Sequence, residues 1–117
     1  MTSAEVAKAF TDMLKAGDHH KAAQTFNAPD IVSIEAMDGP MARVQGTAAV
    51  AAKGQWWADN HEVSNSVTQG PYINGDQFVV HFAMDVTTKA TGETMRMQEV
   101  GLFTVKDGKI VEEKFMY

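Results

Sequence analysis

The segment VTQGPYINGDQFVVHF (residues 67–82) decides the fold, because a tight turn in its middle separates two stretches of strand-forming residues. Asn74 and Gly75 tolerate the positive φ angles of a two-residue type I′ hairpin turn, which would pair Ile73 with Asp76. In this register one largely apolar face is shared by Val63, Asn65, Val67 and Gln69 on the first strand and by Val86, Met84, Phe82 and Val80 on the second.

Two further turns extend the pattern to Tyr117. Lys106, Asp107 and Gly108 are expected to form a three-residue loop with Gly108 in the left-handed conformation, and another turn is expected near Thr91–Gly92. The chain after His61 therefore predicts four long antiparallel strands.

Two helices are predicted at the start of the chain. Thr2 and Glu5 have the spacing of a capping box, and the helix that they begin ends at Gly17. Asp18 can cap a second helix, which Pro29–Asp30 stops.

A strand over residues 31–36 follows, and Gly39–Pro40 then turns the chain away. Thr47 can cap a third helix that runs to about Asp59. The order of elements predicts one α+β domain over residues 1–117, in which three N-terminal helices pack on one curved, mostly antiparallel sheet.

The composition excludes several classes of function. The 117 residues include 10 basic and 15 acidic side chains, for a net charge of -5, which disfavours nucleic acid and anionic membranes as partners. The absence of cysteine excludes disulfides and thiolate chemistry. The stretch MTSAEVAKAF has no secretory pattern, and no apolar run approaches the roughly 18 residues of a membrane span, so we expect a cytoplasmic protein.

Four stretches resemble the SnoaL-like and ketosteroid-isomerase-like branch of the NTF2-like superfamily. They are FTDMLKAGD (10–18), IVSIEAM (31–37), QGTAAV (45–50) and GLFTVKDGKIVEEKFMY (101–117), and together their order and spacing cover essentially the whole chain. The resemblance implies a cone-shaped α+β fold, commonly a homodimer, whose concave face encloses an apolar pocket. It does not imply one activity, because this scaffold hosts isomerases, cyclases, dehydratases, hydrolases and non-catalytic binders.

The three catalytic groups of the ketosteroid isomerases have no counterpart in this chain. The position of their tyrosine on the first helix is Phe10, that of their general-base aspartate is Ala36, and that of their protonated aspartate is Gly101. The chain thus resembles the fold of these enzymes without their oxyanion hole or base.

Two glutamates are the predicted catalytic pair. Joining the hairpins through the turn near residues 91–92 places Met84 beside Glu99 and Gly101 opposite Glu113, so Glu99 and Glu113 become diagonal neighbours with backbones roughly 7 Å apart. Two carboxylates in an apolar cavity raise the pKa of at least one of them toward neutrality. Glu99 is therefore the predicted acid/base and Glu113 the group that tunes it, although one β-bulge would change this register.

The remaining polar and aromatic residues of the apolar face are candidates for ligand contact. They are Phe10, Trp57, Asn65, Gln69, Phe82, Met84, Met97, Phe103, Phe115 and Tyr117. Glu35 is expected to face away from the cavity, and Asp38 to stabilise the Gly39–Pro40 turn. No residues have the spacing of a metal site, and no cofactor is predicted.

Two functional hypotheses follow from the resemblance and the face assignment. The first is a small-molecule enzyme that performs cofactor-free isomerisation, aldol-type cyclisation or dehydration on a largely apolar organic substrate. The second is a non-catalytic ligand-binding or dimerisation module, which the loss of all three isomerase groups favours.

Overall fold

Three helices cover one face of a six-stranded sheet in the computed structural model, which describes all 117 residues. In chain order the elements are α1 (Ser3–Lys15), α2 (His19–Phe26), β1 (Asn27–Ile34), β2 (Arg43–Gln45), α3 (Thr47–Asn60), β3 (His61–Asn74), β4 (Gln77–Thr88), β5 (Thr94–Lys106) and β6 (Lys109–Met116). The strand order is β2-β1-β6-β5-β4-β3, and the pairing is antiparallel except between β1 and β6. The predicted α+β class and the mostly antiparallel sheet are confirmed.

The predicted capping box starts α1. The Glu5 backbone N–H donates to Thr2 Oγ1 at 3.1 Å, and the Thr2 backbone N–H donates to Glu5 Oε1 at 2.9 Å. Two backbone donors at the helix start are thereby satisfied. At the other end Lys15 donates to the carbonyl of Gly70 at 2.8 Å, which ties α1 to β3.

The first strand begins earlier than the sequence predicted. Helix α2 ends at Phe26 and β1 begins at Asn27, so Pro29 lies inside the strand instead of stopping the helix before it. The ladder with β6 is irregular between Asn27 and Val32, and Pro29, which has no N–H to donate, falls in that interruption.

Two local features were not predicted. The short strand β2 pairs with the end of β1, since Val44 lies opposite Ser33. Helix α3 is preceded by Gly46, at φ 94°, and Thr47 is its first helical residue instead of its cap.

Aromatic rings fill the space between α1 and the sheet. The Phe10 ring lies 5.1 Å from that of Phe103 and 5.9 Å from that of Phe78, measured between centroids. The Phe78 and Phe103 rings stack at 4.9 Å. Each is almost fully buried, and burial of such a side chain contributes about 2 to 3 kcal/mol. Phe10, at the tyrosine position of the isomerases, is therefore a core residue.

The β3–β4 hairpin has a different register from the predicted one. Its turn is Gly75–Asp76, so Asn74 pairs with Gln77. The register then shifts between Gln69 and Tyr72 and again between Ser64 and Val67. The two irregularities reverse the faces of the residues between them, because neighbouring strand residues point to opposite faces.

The other hairpins are each displaced by two residues from the prediction. Phe82, rather than Met84, pairs with Glu99, and Phe103, rather than Gly101, pairs with Glu113. The last turn has two residues, and the ladder is irregular beyond it, between Thr104 and Val105.

A displacement of two residues preserves the face of every side chain, so Glu99 and Glu113 share the helix-covered face as predicted. The predicted spacing of roughly 7 Å is wrong, because the Phe103 that opposes Glu113 is four residues, or about 13 Å along β5, from Glu99.

None of the helices combines the length and the hydropathy that a membrane crossing requires.

Replacing Gly101 by Ala should destabilise the fold by about 1 to 3 kcal/mol, measured by chemical denaturation. A Cβ at this position would lie 2.8 Å from Phe103 Cε2, and that ring is held by its stack with Phe78. The matched control is Gly54→Ala on α3, where a Cβ meets nothing within 4 Å and helix propensity favours Ala, so stability should stay equal or rise. Equal stability of Gly101→Ala and the native protein would contradict this view of the packing.

Candidate active site

The helices and the helix-covered face of the sheet line a half-open cavity of about 1840 Å³. Aromatic and methionine side chains line much of it, and its polar part contains Glu35, Lys53, Glu99, Glu113 and Tyr117. Glu35 follows the end of β1, Lys53 lies in α3, Glu99 in β5 and Glu113 in β6, and Tyr117 follows the end of β6. The polar part of the cavity is therefore assembled by the sheet order and not by any local motif.

Glu99 is the carboxyl group with the most perturbed acidity. Desolvation by burial, together with the negative charge of Glu35, raises its pKa to about 7, while Lys53 acts in the opposite direction. The hydrogen bonds of the neighbouring cluster connect Glu35, Lys53, Ser33, Glu113 and Tyr117, and none of them reaches Glu99. Glu99 thus presents to the cavity a carboxyl group that exchanges protons near neutral pH.

Glu113 is held in place by Ser33. The two residues are partners in the parallel ladder between β1 and β6, and Ser33 Oγ donates to Glu113 Oε2 at 3.1 Å. Burial raises the Glu113 pKa, and the Ser33 hydrogen bond and the Lys53 charge partly oppose that rise. Glu113 is the predicted tuning group of Glu99, but its charge has a smaller effect on the Glu99 pKa than the charges of Glu35 and Lys53 have.

Glu35 faces into the cavity, which corrects the expectation that it would face away. Its Oε1 lies 2.8 Å from Lys53 Nζ, and its Oε2 accepts a hydrogen bond from the Tyr117 hydroxyl at 3.1 Å. Ile31 and Ser33 are fully buried, so alternation along β1 continues inward to Glu35. Asp38 is exposed and also lines the cavity, and its side chain makes no hydrogen bond to the Gly39–Pro40 turn.

Most of the predicted ligand contacts lie along the cavity. Its lining includes Phe10, Trp57, Phe82, Met84, Met97, Phe103, Phe115 and Tyr117. Their role in binding stays a prediction.

Asn65 and Gln69 do not line the cavity, and their placement there was wrong. Asn65 occupies the irregular part of β3 with φ 51°, and its side-chain amide donates to Asp85 Oδ2 at 2.7 Å. Gln69 pairs with His81, which bonds to Gln98 on the face away from the helices. The β-bulges of β3 are the physical reason for both errors.

Sequence reasoning missed Lys53 and Ser33 as well as Glu35. Lys53 Nζ donates to Ser33 Oγ at 2.7 Å, and its side chain is only 12% exposed. The sequence feature that indicates a role for Lys53 is its position, since it is the only basic residue in α3 and lies among small apolar residues.

His61 lines the cavity next to the two tryptophans, Trp56 and Trp57. Its ring stacks on that of Trp57 at 4.6 Å, and its Nδ1 lies 2.8 Å from the Trp57 carbonyl oxygen. Trp56 is about half exposed and also lines the cavity. Nowhere in the chain do three or more histidine, aspartate or glutamate side chains converge closely enough to hold a metal ion.

The family model of the SnoaL-like domain matches residues 1–117, so the chain belongs to the SnoaL-like family. A crystal structure from Mesorhizobium loti, described as a candidate SnoaL-like polyketide cyclase, is 58% identical with a TM-score of 0.97, and the match covers 100% of both chains.

Two more distant structures support the fold alone. An NTF2-like protein of Burkholderia xenovorans is 24% identical with a TM-score of 0.79 over 99% of this chain and 90% of its own. A Xanthomonas campestris protein with a cystatin-like fold is 20% identical with a TM-score of 0.78 over 99% and 90%. Among curated proteins, none matches the chain in sequence.

Replacing Glu99 by Gln should stabilise the protein at pH 8 but much less at pH 4. A raised pKa in the folded state means that the fold retains a proton that the unfolded chain releases, so native stability falls as pH rises from about 4.5 to about 7. The free energy of unfolding of the native protein falls by at most about 3 kcal/mol over this pH range. Thermal unfolding of both proteins across this range should give curves that separate with rising pH.

Glu112→Gln is the control, because Glu112 neighbours Glu113 on β6 but points to the opposite face. Its unfolding curve should follow that of the native protein. A Glu99→Gln variant that loses stability equally at both pH values would show that the Glu99 carboxylate is a structural acceptor.

Proposed function

We propose that this protein is a cofactor-free enzyme that moves protons on a largely apolar organic substrate, with Glu99 as acid/base. The observation that carries the proposal is a carboxyl group of pKa about 7 that faces a large cavity and takes no part in the hydrogen-bonded cluster beside it. At neutral pH such a group is about half ionised, so it accepts and returns protons with comparable ease.

The chemistry that suits this arrangement starts next to a carbonyl group. Ionised Glu99 takes a proton from the α-carbon, and the electron pair of the broken C–H bond moves to the carbonyl oxygen to form an enolate. In an isomerisation, protonated Glu99 returns the proton to a different carbon. In an aldol-type cyclisation, the enolate carbon attacks a second carbonyl of the same molecule, and Glu99 protonates the new alkoxide.

The surroundings of Glu99 support an apolar substrate. Met84, Met97 and Phe115 belong to the same cavity wall, and methionine side chains adapt readily to irregular ligands. The relative from Mesorhizobium loti, described as a candidate polyketide cyclase, supports the cyclisation form of the proposal.

Deuterium uptake at the benzylic α-carbon of 2-tetralone, an apolar enolisable ketone, tests the proton transfer. Followed by NMR in heavy water, uptake with native protein should exceed the buffer rate, should rise with pH with a midpoint near the Glu99 pKa of about 7, and should level off roughly two pH units higher, where Glu99 is fully ionised. Glu99→Gln should lower the protein-dependent rate by about 100-fold or more, as expected for loss of a general base. Glu112→Gln should keep the native rate.

Retention of exchange in folded Glu99→Gln would contradict the role of Glu99. The alternative is a non-catalytic binding module, favoured by the absence of the isomerase groups at Phe10, Ala36 and Gly101. No exchange with any enolisable ketone, together with a small molecule that co-purifies in denaturing mass spectrometry, would establish that alternative.

A further inference from the structure

Three carboxylates in the polar part of the cavity lie near one cation, Lys53. Glu35 follows the end of β1, Glu99 lies in β5 and Glu113 lies in β6, and all three line the cavity. Lys53 is the cation that acts on both Glu99 and Glu113. The other ionisable group that faces this cluster is the Tyr117 hydroxyl. Which oxygens of this cluster carry a proton depends on which of them already accept hydrogen bonds.

The geometry at Ser33 sets the direction of one hydrogen-bond chain. An ammonium group only donates, so Ser33 Oγ accepts from Lys53 Nζ at 2.7 Å. The single Ser33 hydroxyl proton is then directed to Glu113 Oε2, at 3.1 Å. Glu113 Oε2 is therefore an acceptor and carries no proton.

The hydrogen bonds of Glu35 can be assigned in the same way. Its Oε1 accepts from Lys53 and its Oε2 accepts from Tyr117, so both oxygens of this carboxylate are acceptors. Lys53 is in turn fully engaged, because its ammonium group also lies 5.7 Å from the centre of the Phe115 ring. Neither Glu35 nor Lys53 has a free position for a substrate proton.

We infer that Lys53 is a positioning residue: it fixes one oxygen of Glu35 and, through Ser33, one oxygen of Glu113 as hydrogen-bond acceptors, and so favours Glu99 as the group that exchanges the proton. The inference rests on the proposed acid/base role of Glu99, but it concerns the hydrogen-bond directions of the cluster and is measurable without any substrate. Glu99 is the carboxyl group of the three with no hydrogen bond on either oxygen, so it is the one free to take up and return a proton.

Carbon-13 NMR of protein labelled at the glutamate side-chain carboxyls tests the inference. In Lys53→Met, loss of the cation that acts on both groups should raise the titration midpoints of Glu99 and Glu113, each by about one pH unit or more. Lys53→Arg, which keeps the charge, should leave both midpoints below those of Lys53→Met. Substitution of each glutamate by Gln assigns the resonances.

Lys114→Met is the matched control. It removes the same charge from the residue next to Glu113, but Lys114 pairs with Leu102 and Ile34 on the opposite face of the sheet. Both midpoints should remain within a few tenths of a unit of the native values, as expected for a screened surface charge.

Unchanged midpoints in folded Lys53→Met would overturn the inference. If that variant does not fold, Ser33→Ala tests the same hydrogen-bond chain, because it removes the hydroxyl between Lys53 and Glu113 and keeps the Lys53–Glu35 ion pair: the Glu113 midpoint should rise and that of Glu99 should move less. An unchanged Glu113 midpoint in Ser33→Ala would also overturn it. Shifted midpoints combined with no ketone exchange by the native protein would reject the proposed function and keep the role of Lys53.

Discussion

The parallel pairing of β1 with β6 is the constraint on which the polar part of the cavity depends. It joins residues about 80 positions apart in the chain, and it sets Ser33 directly opposite Glu113. Glu35 follows two residues later on the same face, within reach of Tyr117 beyond the end of β6. A different partner for β1 would leave these side chains on separate surfaces, so the cluster exists only in the complete sheet.

Burial and pairing act against each other in this cluster, and the balance differs between the carboxyl groups. An ionised group taken from water loses several kcal/mol of hydration unless hydrogen bonds or an opposite charge replace it. Glu35 has such replacements on both oxygens, and Glu113 has one in Ser33. Glu99 accepts no hydrogen bond in this cluster, and the charge of Lys53 does not offset its burial and the charge of Glu35, so its pKa is raised. The chemically identical side chains of Glu99 and Glu113 thereby differ in acidity because of their positions alone.

The parts of the fold that depend on neighbouring residues could be predicted from the sequence. The capping box of Thr2 and Glu5, the strand character after His61 and the shared face of Glu99 and Glu113 all follow from local patterns. The β-bulges could not be predicted, because they arise from the curvature of the whole sheet and leave no strong local signal. They displaced Asn65 and Gln69 from the cavity and changed the spacing of the two glutamates. The homodimer, the single domain and the cytoplasmic location stay predictions.

The missed residues show how partners distant in sequence determine the meaning of a charged side chain. Glu35 by itself is a carboxylate at a strand end, where exposure to solvent is the usual outcome. Lys53 supplies its counter-charge from a helix that begins after β2, and Tyr117 supplies its second hydrogen bond from the far end of the chain. Neither partner is visible in the sequence around Glu35. Since a buried ion pair leaves a costly unpaired charge when either member is removed, Glu35 and Lys53 form one unit, and the acidity of Glu99 depends on that unit as a whole.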